Sequence, residues 1–96
     1  MRADYDSEAN AISITLVRGA PAAKADELHP RAVVALRGDE PVEVQLLYPD
    51  LGVEEPLRVV AEHYRLDPEA LVAAANAALA APNRAVTLEV AMRSSA

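Results

Sequence analysis

Cysteine, tryptophan and phenylalanine are all absent from this chain of 96 residues. Without cysteine there is no disulfide staple and no thiolate metal site, and the redox compartment leaves no trace in the sequence. Without the two largest apolar rings, Tyr5, Tyr48 and Tyr64 are the only members of the Phe/Trp/Tyr class, so Val, Leu, Ile and Ala must build the core. Alanine buries little area per residue, which leaves apolar surface over for a partner or a second copy of the chain. Cations are scarce as well. Nine Lys and Arg stand against fifteen Asp and Glu, a net charge of −6. Such a surface repels phosphate and anionic lipid, so no nucleic-acid partner is expected. No apolar run is long enough to span a bilayer. The opening "MRADYDSEAN" lacks the apolar core of a signal peptide, so a cytoplasmic location and no membrane partner are expected. His29 and His63 are the only histidines, and neither has a His or Cys at ligand spacing; no metal or cofactor is expected.

What the chain does have is two successive periodicities, which fit one domain at this length. Residues 1–48 alternate with period two. Met1, Ala3 and Tyr5 share one face of a short strand, and Ile12, Ile14 and Leu16 share one face of the next. Between them "DSEAN" supplies turn-forming side chains. The stretch "AAKADELHP" suits an edge strand or a loop. In "RAVVALR", Ala32, Val34 and Leu36 oppose Arg31, Val33, Ala35 and Arg37, and in "VEVQLLY", Val42, Val44, Leu46 and Tyr48 face one way. Short connections between these segments imply hairpins, hence a small antiparallel β-meander sheet of four or five strands.

Residues 49–55 form a connector, and the period changes over 56–92. Leu57, Val60, Ala61 and Tyr64 recur at helical spacing, with Pro56 suited to the first turn. Asp67-Pro68-Glu69 is a start signal for a second helix carrying Leu71, Val72, Ala75 and Leu79. A C-terminal strand follows, with Val86, Leu88, Val90 and Met92 on one face. Strands and helices are segregated along the chain, so the class is α+β, with both helices packed on one face of the sheet.

Over about residues 1–50 the chain resembles a family of small, mostly bacterial β-rich domains known as domain of unknown function 2283. "YDSEANAISITL" is similar to that family's opening, and "VEVQLLY" to its last strand. The resemblance implies an antiparallel sheet and no established activity. Some members look like partners of small toxin-like proteins, which implies an antitoxin-like or regulatory role. Asn10 and Gln45 stand where the family pattern has acids, which weakens any metal or acid–base role.

Each candidate site has a plain competitor. Asp6 and Glu8 offer oxygens for a divalent cation or catalysis, but lack the glycine and distant glutamate of a calcium loop, and the turn explains them. No nucleophile, base and orienter occur together, so no catalytic residue is assigned and a non-enzyme is expected. The pair of helices has the rhythm of a helix-turn-helix, yet its second helix carries no cation to reach bases. Ala61, Tyr64, Leu71 and Asn76, flanked by strands, are similar in order to a lysin-motif glycan-binding module. The remaining candidate is a protein-binding surface. It combines Val33, Ala35 and Leu47, on the outward faces of strands, with Ala73, Ala74, Ala77, Ala78 and Ala81 along the second helix. Small and apolar residues at these positions point to a protein partner, self-association as a homodimer, or both.

Overall fold

The computed structural model describes residues 1–19 and 21–88. The elements are β1 (Arg2–Asp6), β2 (Ala11–Thr15), β3 (Lys24–His29), β4 (Ala32–Arg37), β5 (Glu40–Leu47), a 3-10 turn (Pro49–Leu51), α1 (Glu54–Tyr64), α2 (Pro68–Ala80) and β6 (Val86–Thr87). All strand pairs are antiparallel and form one sheet in the order β3-β4-β5-β2-β1-β6. Both helices contact the same sheet, so the α+β architecture expected from the two periodicities is the one observed. Of the C-terminal strand, Val86 and Thr87 pair with Ala3 and Arg2; Val90 and Met92 lie outside the described residues.

Strand adjacency departs from a simple meander. β1 and β2 make a hairpin, and β3, β4 and β5 make a three-strand meander, but β2 pairs with β5 rather than β3. Composition explains the choice. "KADELH" of β3 is polar and half-exposed, which suits an edge. "AISIT" of β2 has Ala11, Ile12 and Ile14 buried, which requires neighbours on both sides.

One face of this sheet forms the core. Ala3, Ile12, Ile14, Ala32, Val34, Val44 and Leu46 are fully buried there, with Leu36 nearly so, against Leu57 and Val60 of α1 and Leu71 of α2. Burying each of the Leu, Ile and Val side chains contributes about 1.5–3 kcal/mol. Tyr48 breaks the alternation of β5. It was expected inward with Leu46, but it takes a left-handed backbone (φ 50°) and is 53% exposed, because the chain turns there into Pro49.

The helix signals act as their chemistry demands. Asp67 caps α2, its carboxylate accepting from the N–H groups of Glu69 (3.0 Å) and Ala70 (3.4 Å). α1 begins two residues ahead of Pro56, which stays in the first turn where a missing N–H costs nothing. Arg65 closes α1 in the left-handed region (φ 57°).

Candidate interaction surface

The loop "DSEAN" resolves into a bonded turn. Asp6 Oδ1 accepts from the N–H groups of Glu8 (3.0 Å) and Ala9 (3.3 Å), the local bonding that makes aspartate a turn residue. Asn10 adopts φ 53°, accepts from the Tyr5 hydroxyl (2.9 Å) and donates to Asp50 (2.8 Å). The Asn10 amide thus joins the first hairpin to the connector after β5. Among the described residues no three His, Cys, Asp or Glu side chains are placed to hold a metal ion.

Two polar contacts tie α1 to the edge strand β3. At the helix start, the N–H of Arg31 donates to His29 Nδ1 (3.0 Å), which leaves the ring proton on Nε2, facing Glu55 Oε1 at 3.3 Å. At the helix end, the Tyr64 hydroxyl donates to Asp26 at 2.5 Å. Burial, the bond to Asp26, and the charges of Asp26 and Asp39 push the Tyr64 phenol up to about 12. A phenol held protonated in this way is a fastener and a poor base at neutral pH. Arg31 has a role that its place in the alternation does not announce. Its Nη1 reaches the carbonyls of Leu47 (3.3 Å), Tyr48 (2.8 Å) and Gly52 (3.0 Å), and so secures the connector. In the sequence Arg31 reads only as an outward strand residue, with nothing to indicate its three carbonyl partners.

The proposed partner surface divides in two. Val33, Ala35 and Leu47 do come together, on the sheet face away from the helices. Residues paired directly across strands share a face, and the register therefore defines this face rung by rung. The first rung runs Ala25, Ala35, Glu43, Thr15, Arg2, Thr87; the second Val33, Gln45, Ser13, Asp4; the third Leu47, Ala11, Asp6. On the three rungs the outward side chains of β4, β5 and β2 are small or neutral apart from Glu43; beyond the first rung Arg37 pairs with Glu40 at 2.6 Å. Leu28, Pro30, Val33 and Leu47, with Glu27 and His29, also line a shallow depression at the third-rung end.

The alanines are elsewhere, on α2, beyond the covered side of the sheet. Ala74 and Ala78 are fully buried, which removes them from any partner surface. With Ala70, Leu71 and Ala75 they form the seat of α2 on β1 and β2. The small-residue face does permit close approach, but of the chain's own sheet. Ala73 is exposed on the side of α2 away from the sheet, Ala77 is half-exposed at the flank of the seat, and Ala81 is half-exposed just past the helix end. Asn76 is exposed too, and α2 carries no cation. The strands that flank the helix pair, β5 and β6, are separated in the sheet by β2 and β1.

No helix among the described residues is long and apolar enough to cross a membrane. No family model matches the chain, and no curated protein or solved structure is detectably similar to it.

Proposed function

We propose that this chain is a non-enzymatic binding domain with a regulatory role, that it works by protein–protein contact, and that it self-associates through the uncovered face of its sheet. The observation that carries this reading is the composition of that face. An antiparallel sheet with one wet side ordinarily alternates apolar inside with polar outside. Here Ala11, Ala25, Val33, Ala35 and Leu47 lie on the wet side with Ser13, Thr15 and Gln45. Ala11 is only 6% exposed although it lies on the side away from the helices. Tyr48 and Leu51, 53% and 69% exposed, add large apolar side chains in the connector that follows Leu47. Contiguous apolar surface of this kind marks interaction sites. An antitoxin-like role rests on the sequence resemblance alone.

Sedimentation equilibrium at micromolar concentration tests the reading. The wild-type chain is expected to sediment as a dimer. Ser13→Arg, in the middle of the open face, should release monomer, whereas Ala73→Arg, on the outer side of α2, should not. A wild-type monomer at every concentration up to the millimolar range sinks self-association. Loss of the dimer through Ala73→Arg alone moves the contact to the helix.

A further inference from the structure

We infer that the open face packs against the same face of a second copy about a two-fold axis running along β2. This rests on the reading of that face as a self-association surface, and it adds the geometry. β2 and β5 are the central strands of the sheet. The outward residues of β2 are Ala11, Ser13 and Thr15, small enough to let two sheets approach at the ~10 Å spacing of packed sheets. On the first rung, Glu43 and Arg2 flank Thr15, one strand to either side. Rotation about β2 therefore places Glu43 of each copy over Arg2 of the other, twice per dimer. On the second rung, Gln45 and Asp4 flank Ser13 in the same way, so an amide donor meets a carboxylate.

Other axes oppose like charges or leave Glu43 without a cation. An axis along β5 sets Glu43 against its own copy, and one along β1 does the same to Arg2 and Asp4. An axis along β4 overlaps only β3, β4 and β5. An axis across the strands between the first two rungs sets Arg2 against Asp4, but it puts Glu43 over Gln45 and leaves the third rung uncovered. Arg37, one step beyond the first rung, is already paired with Glu40 at 2.6 Å; on the three rungs themselves Arg2 is the register-paired cation and Glu43 the central charge, and rotation about β2 joins them. On the third rung Leu47 faces the other copy's Asp6, whose Oδ1 is already bonded within its turn. Sheet twist, about 30° between packed sheets, carries that rung to the rim.

Charge-swap variants of the full chain test the axis. Arg2→Glu and Glu43→Arg should each weaken the dimer about a hundredfold, since each makes two like-charge contacts, and combining them should restore most of the affinity. The absence of native cysteine gives an independent readout. Ser13→Cys lies on the axis and should be joined to its copy by a short thiol–thiol cross-linker. Ala35→Cys lies two strands from the axis, so its copies stand about 19 Å apart laterally and should not be joined. A dimer indifferent to both single swaps, with no cross-link at position 13, overturns the axis while leaving self-association intact. Rescue of Arg2→Glu by Asp4→Arg instead of Glu43→Arg assigns the transverse axis and overturns this one. A monomeric wild-type chain overturns the axis and the functional reading together.

Discussion

The two faces of the sheet are built from alternate residues of the same strands, yet they obey different rules. On the covered face Ile12, Ile14, Val34, Val44 and Leu46 are branched, bulky and fully buried. On the open face the neighbours of those residues are Ala11, Ser13, Thr15, Val33, Ala35, Glu43, Gln45 and Leu47. The first set has to fill the space beneath two helices to close-packed density. The second has only to be smooth and matched in charge to whatever meets it. Substitutions should therefore separate the faces, with stability reporting one and association the other.

The largest effect is expected from Ile14→Ala. A fully buried side chain loses its transfer energy and leaves a cavity, so urea unfolding should show a loss of about 2–5 kcal/mol. Arg31→Ala comes next. It strips charge-assisted bonds from three carbonyls, and a loss of about 1.5–3 kcal/mol is expected in the same assay. Asp67→Ala removes the cap of α2 and should cost about 1 kcal/mol.

Tyr64 gives a test that depends on pH. Its folded phenol titrates near 12 against the ordinary 10.0, so over that interval the folded state keeps a proton that the unfolded state has released. Its contribution is intact below about pH 10 and falls away as pH rises through about 12. Tyr64→Phe should flatten that part of the alkaline stability profile, and absorbance at 295 nm should follow the phenol directly. The smallest effect belongs to the open face. Ser13→Ala should stay within about 0.5 kcal/mol of wild-type stability. A loss comparable to that of Ile14→Ala would show that the two faces do not differ in the way their composition suggests.

Much of this division can be read from the chain itself. The alternation over residues 1–48 places Ile12, Ile14, Val34, Val44 and Leu46 on one side, and Asp67-Pro68-Glu69 marks the start of α2. Strand order is less legible, because alternation tells a residue which face it occupies but not which strand lies beside it. The insertion of β2 between β5 and β1 follows only once the polarity of β3 is weighed against the burial of Ala11. The orientation of α2 is hidden for another reason. A helix with alanine at 70, 73, 74, 75, 77, 78 and 80 is nearly uniform in hydropathy around its circumference. Nothing local distinguishes Ala74, which seats on the sheet, from Ala73, which faces solvent. On the candidate surface, Val33, Ala35 and Leu47 could be found from their position in the alternation. Arg2 and Glu43 could not, because their relation exists only through the register of three strands.

The placement of β2 also sets the order of assembly. The hairpin of β1 and β2 and the meander of β3 to β5 each form from short-range contacts, and such steps are fast. The ladder joining β2 to β5 spans both units and must wait for the intervening chain to close on itself. That chain runs through the connector between Thr15 and Lys24. Lengthening this connector should slow refolding while leaving the unfolding rate almost unchanged, as each doubling of a closed loop adds only about 0.6 kcal/mol to its closure. Until that final docking, Ala11, Ile12 and Ile14 sit at an unpaired strand edge. The nascent hairpin is therefore the stage at which this molecule is most exposed to capture by the wrong neighbour.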